Sequence, residues 1–347
     1  MQDKVAILIP TFNRPGFILD LCRFYTQFNT LNFMIILGDS SSLKFYAQNS
    51  KIIKSFQNLE IMQVRCFNAG PHEALLSITK IAAGKKIPYC LFTGDDDYVF
   101  IPSLPVLTRY LKINDKLRSV RGRALLVGVE RMSRSNSAQR ITFYQRYWHH
   151  LDIAHRYPLE RLEFLMENYI NLQFALHRTF EFEEQLAAKT GLNTGFFQEY
   201  SESLNSIIKG KNKFFDVPFL IRLSHNYYGG NSFETHLKDR SNNGPNLFFN
   251  LIYTNEVKEL TNNVIRSLNL KKDYKANEIQ YIKKLIANKL YASLNKVSKN
   301  IKPKKNKPVI LTWCRKHLQK FKLRVYLDEI KHIEKFVASH ERKHQFD

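Results

Sequence analysis

Short apolar runs alternate with amphipathic segments through the first 130 residues. The run Val5–Pro10 is continuously apolar, which indicates a strand buried on both faces of a sheet. Apolar residues then follow at helical spacing through Pro15–Phe28, with proline at a position that a helix accepts. The alternation repeats, with strands predicted at Phe33–Leu37, Glu60–Arg65 and Tyr89–Thr93 and helices at Leu43–Phe56, Glu73–Ala83 and Pro102–Leu111. This order predicts an α/β fold, a doubly wound and mostly parallel sheet with Rossmann-like layers.

The remainder of the chain has a less regular pattern. Strands are predicted at Asn171–Arg178 and Phe214–His225, and a helix opens in Thr194–Tyr200. Glycine, asparagine and serine are concentrated between 228 and 245, so we place a domain boundary near residue 235. We expect a first domain at 1–235, with halves at 1–130 and 131–235, and a basic α-helical extension at 236–347. That extension includes an amphipathic segment at Ile282–Leu294.

The net charge is unevenly distributed along the 347 residues. The chain has a formal net charge of +22, and residues 236–347 contribute 25 basic and 10 acidic side chains to it. Apolar residues are interspersed with lysine and arginine from Val309 to His344, after the lysine-rich connector Lys302–Pro308. This pattern suits peripheral contact with an anionic membrane surface. The alternative is a helical appendage whose lysines are simply solvated.

The cysteines and the hydropathy pattern argue against a secreted or membrane-spanning protein. The four cysteines are widely separated and form no CxxC pair, which disfavours a zinc ribbon and a disulfide framework. No run of eighteen apolar residues occurs, and the first residues lack the pattern of a signal peptide. We therefore expect a cytoplasmic protein, in peripheral contact with the inner face of the membrane if the basic extension binds there.

Polar residues follow the first two predicted strands where each strand ends. The first strand runs into Pro10-Thr11-Phe12-Asn13-Arg14, and the second runs into Gly38-Asp39-Ser40. Ligands of parallel sheets bind beyond the carboxyl ends of the strands, so these residues form a candidate nucleotide site. Helix capping is the simpler explanation for Thr11 or the serines taken singly. The chain has neither GxGxxG after its first strand nor a P-loop motif, which disfavours a dinucleotide fold and a P-loop enzyme.

Three consecutive aspartates, Asp95, Asp96 and Asp97, follow the fourth predicted strand. Adjacent carboxylates repel one another unless a cation or strong hydrogen-bond donors offset their charge. Mg²⁺ or Mn²⁺ held by one or two carboxylates, with phosphates and water at the other positions, is the usual arrangement for nucleoside diphosphates. The alternative is an exposed acidic turn that caps the next helix.

The motifs Ala6-Ile-Leu-Ile-Pro-Thr-Phe-Asn-Arg14, Asp39-Ser-Ser41 and Tyr89-Cys-Leu-Phe-Thr-Gly-Asp-Asp-Asp97 together resemble the GT-A-fold glycosyltransferases of family 2. The resemblance covers about the first 235 residues. It implies that Asp95 and Asp97 bind the metal and that the adjacent Asp96 contacts the donor. This chain departs from the family at Gly94, where many members have an aspartate. It also implies a donor pocket lined by Pro10, Thr11, Asn13, Arg14, Asp39, Asn68 and Gly70.

The same resemblance suggests roles for residues in the second half. It implies that Glu199 is the general base of an inverting reaction, with Glu202 as the alternative, whereas a helix-start glutamate can merely complement the helix dipole. It further implies that Arg222 and His225 lie near the diphosphate or the metal. The aromatic and basic residues between 131 and 168 are interpreted as an acceptor-side insertion, in which His149-His150 is weak evidence for metal.

The function expected from this resemblance is transfer from a nucleotide-sugar donor, of which a UDP-sugar is favoured, with Mn²⁺ or Mg²⁺. The acceptor would be a glycan, a sugar phosphate or a lipid-linked glycan in bacterial surface polysaccharide synthesis. A GT-A-fold nucleotidyltransferase or alditol-phosphate transferase would use the same cluster. A basic nucleic-acid- or membrane-binding protein would explain the charge. It would not explain the aspartates, so we expect no nucleic-acid partner.

Overall fold

The structure is a computed structural model that describes residues 3–28, 32–131, 139–146, 150–188, 192, 195–225, 245–268 and 277–288. Within these ranges only the backbone is described at 128–131, 139–146, 195–196, 224–225 and 245–254. One compact unit comprises residues 1–130 and 141–289. A second unit comprises 131–140 and 290–347, most of which lies outside the described residues. The predictions for Lys302–Pro308 and Val309–His344 also lie there.

The described residues form a nine-stranded sheet with the order β3-β2-β1-β4-β8-β6-β9-β5, and β7 pairs with β6. Strands β1, β2, β3 and β4 are parallel to one another, whereas β8 is antiparallel to both β4 and β6. Strand β9 runs parallel to β6 and antiparallel to β5. The strands are β1 Val5–Thr11, β2 Phe33–Asp39, β3 Ile61–Arg65, β4 Tyr89–Phe92, β5 Asp97–Val99, β6 Leu117–Arg131, β7 Gln139–Arg146, β8 Leu176–Arg178 and β9 Lys211–His225.

Helices connect the strands, and several of them begin at a proline. Proline opens α1, α3, α5 and α8, where its missing N–H removes no helical hydrogen bond. A 3₁₀ turn at Ile101–Ser103 leads directly into α4, and residues 277–288 are also helical. The helices are α1 Pro15–Thr26, α2 Leu43–Lys54, α3 Pro71–Gly84, α4 Leu104–Ile113, α5 Pro158–Glu167, α6 Thr179–Ala187, α7 Gly195–Lys209 and α8 Pro245–Ser267.

The α/β architecture and the first four predicted strands are confirmed, whereas one later strand is shorter than predicted and three strands were not predicted. The strand predicted at Asn171–Arg178 is only Leu176–Arg178. Its first residues form a turn in which Asn171 Oδ1 accepts a hydrogen bond from Gln173 N. Strands β5, β6 and β7 were not predicted. Strand β5 begins at Asp97, the last of the three aspartates that follow β4.

The core lies on both faces of the parallel strands. Strands β1 and β2 are buried almost throughout, as their unbroken apolar runs predict. One face packs against α3 and α6, where Leu75, Ile78 and Phe182 are fully covered. Cys22, Cys66 and Cys90 are buried free thiols, and Cys314 lies outside the described residues. In the part of the chain that the structure describes, no helix is long and apolar enough to cross a membrane.

Candidate active site

The carboxyl ends of β1, β2 and β4 bring the predicted polar residues to one edge of the sheet. Thr11 and Asp39 are paired residues at the ends of β1 and β2. Strand β4 lies on the other side of β1, where Leu8 pairs with Phe92 and Thr93 N donates to Leu8 O. The chain then enters the three aspartates, which we call the acidic cluster: Asp95, Asp96 and Asp97.

Residues of the β1 end hold the first two carboxylates of the acidic cluster. Thr11 Oγ1 donates to Asp95 Oδ2 at 2.6 Å, and Arg14 Nη1 lies 2.9 Å from Asp95 Oδ1. The same guanidinium nitrogen lies 3.3 Å from Asp96 Oδ2. Asp95 is buried, whereas the Asp96 side chain is 27 % exposed. Asp96 therefore offers the most open carboxylate of the three.

The third carboxylate is held by β9. Asp97 pairs with Arg222 in the antiparallel β5–β9 ladder, and Arg222 Nε donates to Asp97 Oδ2 at 3.0 Å. Leu223 N donates to Asp97 Oδ1 at 3.2 Å. The guanidinium carbon of Arg222 also lies 4.5 Å from the centroid of the Phe174 ring. The structure thus brings Arg222 beside the acidic cluster from a distant part of the sequence. Its predicted position near the diphosphate or the metal stays a prediction.

Burial dominates the electrostatics of the acidic cluster. It raises the pKa of Asp95, against the opposing effect of the Arg14 charge. It also raises the pKa of Asp97 to about 7, against the opposing effect of Arg222. The charged form of a carboxylate is disfavoured in such surroundings unless more positive charge is added.

The donor set of the acidic cluster fits a hard divalent cation. It consists of carboxylate oxygens, and its three acidic groups face two guanidinium groups, so one negative charge is left over when all are ionised. Among the described residues, no three His, Cys, Asp or Glu side chains converge into a ligand set. A cation here would therefore complete its coordination with phosphate and water. His225 ends β9, but its side chain lies outside what the structure describes.

Asp39 organises the loop that follows β2. Its carboxylate is fully buried and accepts hydrogen bonds from Ser41 N, Asn49 Nδ2 and Gln63 Nε2 at 2.8 to 2.9 Å. Asn13 has a positive φ of 57°. The loop is also tied to Asn13, whose N–H donates to Ser41 Oγ and whose Oδ1 accepts from Ser42 N. The role predicted for Asp39 in nucleoside binding stays a prediction.

The loop between β3 and α3, residues 66–70, lies at the same edge as the end of β2. Cys66 N donates to Asp39 O, and Asn68 has a positive φ of 54°. Gly70 caps α3, and its N–H donates to Glu73 Oε2 at 2.9 Å. Two large aromatic side chains are exposed near these strand ends, Phe12 at 62 % and Phe67 at 71 %.

The predicted base, Glu199, lies in the second turn of α7 and is half-buried. Its Oε1 accepts a hydrogen bond from the Tyr169 hydroxyl at 2.8 Å, and the Tyr169 ring stacks on Tyr200 with centroids 4.0 Å apart. Glu202, the alternative base, is fully buried, and its Oε1 lies 3.4 Å from His72 Nδ1.

Three contacts at the site were missed by sequence reasoning: those of Phe174, Gln63 and Tyr169. Each depends on a partner from another element. The signal available for Gln63 was a polar residue inside an apolar strand, between Met62 and Val64. No comparable signal marks Tyr169 or Phe174.

Comparisons with known proteins give structural matches only. No protein-family model matches the chain, and no curated protein matches its sequence. Residues 1–349 of Staphylococcus aureus TarS in complex with UDP-GlcNAc match with a TM-score of 0.50 at 13 % identity, over 86 % of this chain and 76 % of that one. A longer TarS structure matches with a TM-score of 0.48 at 12 % identity, over 86 % of this chain and 46 % of that one. The Pyrobaculum calidifontis mannosyltransferase PcManGT, with GDP-Man and Mn²⁺, matches with a TM-score of 0.42 at 10 % identity, over 98 % and 87 %.

The fold is therefore that of a GT-A-type glycosyltransferase. The match to the TarS complex carries this conclusion, because it reaches a TM-score of 0.50 over most of both chains. The mixed, mostly parallel sheet with covering helices agrees with it. The predicted fold class is confirmed, and the predicted roles of individual site residues stay predictions.

Proposed function

We propose that this protein is a metal-dependent glycosyltransferase that uses a nucleotide-sugar donor. The observation that carries the proposal is the acidic cluster at the carboxyl end of β4, paired with Arg14 and Arg222 in a GT-A-type fold. A bare acidic turn would need neither two guanidinium groups from distant elements nor burial of two of its carboxylates. A donor diphosphate suits both kinds of group, since cationic side chains can bind its oxygens and carboxylates would hold a divalent cation beside it.

In this proposal Arg14 and Arg222 bind the donor diphosphate. Arginine forms paired hydrogen bonds to phosphate oxygens, so each guanidinium can serve a phosphate while it keeps its aspartate in place. We assign Asp95, Asp97 and His225 to the cation and Asp96 to the donor beside it. A bound Mg²⁺ or Mn²⁺ ion offsets diphosphate charge. Arg222 further stabilises the charge that develops on the leaving diphosphate.

The proposed nucleoside pocket lies at the ends of β1, β2 and β3. Its residues are Pro10, Thr11, Asn13, Asp39, Asn68 and Gly70, and the exposed rings of Phe12 and Phe67 offer apolar faces to a base. We favour a UDP-sugar as donor. The structural likeness to the TarS complex with UDP-GlcNAc supports this choice.

Glu199 is the proposed general base. Its carboxylate takes the proton of an acceptor hydroxyl while that oxygen forms a bond to the anomeric carbon, and the bond from that carbon to the diphosphate oxygen breaks. Attack on the face opposite the leaving group inverts the configuration. Tyr169 donates a hydrogen bond to Oε1 and so fixes the orientation of the carboxylate. The acceptor is proposed to be a glycan, sugar phosphate or lipid-linked glycan of a bacterial surface polysaccharide, on the family resemblance alone.

The test is turnover of UDP-, GDP-, CDP- and CMP-linked donors with and without Mn²⁺. We expect metal-dependent turnover of one nucleotide sugar. Asp96→Asn and Asp97→Asn should each reduce it at least a hundredfold, because each removes charge from the acidic cluster. The matched control is Asp115→Asn at an exposed aspartate, which should behave as wild type.

Three other results would reject the proposal. Release of a nucleoside monophosphate with transfer of the attached phosphate would indicate the alditol-phosphate transferase, and formation of a nucleotide sugar from a nucleoside triphosphate would indicate the nucleotidyltransferase. A lack of binding to every donor, with tight salt-sensitive binding to nucleic acid, would make the acidic cluster a structural turn and the basic region the functional part.

A further inference from the structure

A buried carboxylate and a histidine meet between α3 and α7. The Glu202 side chain has no solvent exposure, and the His72 side chain is 17 % exposed. Their closest atoms, Glu202 Oε1 and His72 Nδ1, are 3.4 Å apart. A buried carboxylate that loses a polar partner destabilises the fold, so contacts of this kind fix the relative position of the elements that carry them.

His72 belongs to the donor side of the proposed site. It is the second residue of α3, directly after the loop 66–70 that contains Asn68 and Gly70. The first turn of α3 is fixed to that loop by the hydrogen bond from Gly70 N to Glu73 Oε2. A movement of the loop therefore moves His72 as well.

Glu202 belongs to the acceptor side. It lies three residues after Glu199, on the same side of α7. The backbone around it is held by neighbouring elements, since Gln185 Nε2 donates to Glu202 O and Leu172 N donates to Ser203 Oγ. The position of Glu202 therefore reports directly on that of Glu199.

We propose that Glu202 and His72 are positioning residues that link the donor loop 66–70 to the helix that carries the base. Neither touches substrate. Their contact fixes the position of α7 relative to the loop 66–70. The Glu199 carboxylate is thereby placed to meet the acceptor hydroxyl when the donor is bound against that loop. The catalytic part of this proposal rests on the proposed function, whereas the mechanical link between loop and helix does not.

The test is a double-mutant cycle of Glu202→Gln, His72→Gln and the double variant, with kcat and donor KM measured for each. We expect kcat to fall about tenfold in each single variant and donor KM to stay within about twofold, because the base is misplaced and the donor contacts are kept. The double variant should lose no more than the worse single variant, and it should unfold at higher urea than His72→Gln, which leaves Glu202 buried without that partner. Independent losses of about a hundredfold in the double variant would overturn the proposal.

The control cycle uses Lys4→Gln and Glu60→Gln. These residues form an ion pair of 2.5 Å before β1 and β3, at the opposite ends of the strands from the site. We expect wild-type kcat from all three control variants. A fall of kcat in both cycles, or an unchanged kcat in Glu202→Gln and His72→Gln with only a lower stability, would show that the contact is merely structural.

Hydrogen exchange separates a failure of this proposal from a failure of the proposed function. His72→Gln should speed amide exchange in 197–203, and Glu202→Gln should speed it in 66–71. If the wild-type protein turns over no nucleotide sugar, the proposed function fails, and this reciprocal change alone upholds the link between loop and helix. Exchange that changes only around the substituted residue would overturn the link.

Discussion

At the scale of single residues, the carboxylates of the acidic cluster lie close to the backbone of Gly94. A Cβ atom at Gly94 would lie 2.9 Å from Asp96 Oδ1 and 3.5 Å from Asp97 Oδ2. The neighbouring atoms are the ends of side chains, so a methyl group there would displace carboxylates and leave the backbone in place. The absence of a side chain at this position is therefore a requirement of the site more than of the fold.

We predict that Gly94→Ala impairs donor use and leaves stability nearly intact. The displaced carboxylates should weaken donor binding about tenfold, while the urea midpoint changes little. Donor KM and urea unfolding of the same preparation measure the two effects. Gly84→Ala, where a Cβ meets nothing within 4 Å, is the control and should leave donor KM unchanged. An unaltered donor KM in Gly94→Ala would contradict the assignment of the acidic cluster to the donor.

A second prediction concerns Tyr169. Tyr169→Phe removes the hydroxyl that donates to Glu199 Oε1 and keeps the ring that stacks on Tyr200. The carboxylate then loses its fixed orientation, and we expect kcat to fall about tenfold with donor KM unchanged. Steady-state kinetics at saturating acceptor measure this effect. Tyr157→Phe, at an exposed tyrosine, is the control. A larger loss in Tyr169→Phe than in Glu199→Gln would argue that Glu199 is not the base.

At the scale of elements, β8 carries a buried histidine across the middle of the sheet. His177 pairs with Cys90 of β4 and with Ser119 of β6, and its Nε2 lies 3.0 Å from Leu172 O. Its ring stacks on Phe182 with centroids 4.6 Å apart. Burial lowers the pKa of His177 from its ordinary 6.5 to about 3.

We predict that His177 makes the fold sensitive to acid. Below pH 6.5 the unfolded chain binds a proton that the folded chain excludes, so this contribution to stability is complete above pH 6.5 and is lost as the pH falls towards 3. The loss is about 1.4 kcal/mol per pH unit, or about 2 kcal/mol at pH 5. Urea unfolding of wild type and His177→Gln between pH 7.5 and 5 should show the difference between them shrinking. Parallel curves for wild type and His177→Gln would contradict the prediction.

The elements that could be predicted are those whose burial is uniform along the segment. β1 and β2 have apolar side chains on both faces, so their sequences predict them nearly to the residue. β6 was missed because its buried positions include Arg121, whose charge is satisfied by Asn212 Oδ1 and Leu151 O, partners that local sequence does not show. Gly122 in the same strand lies where a Cβ would be 2.6 Å from Val217 O of β9. Such a close approach between strands leaves no periodic pattern of apolar residues from which the strand could have been predicted.

The site residues that could be predicted are those that directly follow a uniformly buried strand. The acidic cluster and the β1 end follow strands that the pattern shows, so Thr11, Arg14 and the three aspartates could be placed together. The family resemblance implied only that Arg222 lies near the diphosphate or the metal. Its contact with Asp97 could not be predicted, because β5 is three residues long and pairs with a strand from the far half of the chain. Tyr169 lies between α5 and β8, where neither helical nor strand periodicity applies.

At the scale of the whole molecule, most of the excess of positive charge belongs to residues 236–347. We predict that replacing Lys302, Lys304, Lys305 and Lys307 by glutamine weakens binding to vesicles that contain anionic lipid by at least a hundredfold. Each basic residue near such a surface contributes about 1 kcal/mol. Vesicle sedimentation at low salt measures the effect. The control replaces Lys44, Lys51, Lys54 and Lys80 of the first domain. Equal binding by the two variants would place the membrane contact elsewhere or exclude it.

The ion pair between Asp97 and Arg222 joins residues 125 positions apart. During synthesis the strands β1 to β5 leave the ribosome before the partner of Asp97 exists, and at about 5 to 20 residues per second the delay is on the order of ten seconds. Until then the Asp97 carboxylate stays hydrated. The nascent chain can therefore pair its parallel strands early, but the acidic cluster gains its full set of ion pairs only after β9 has been synthesised and has paired with β5.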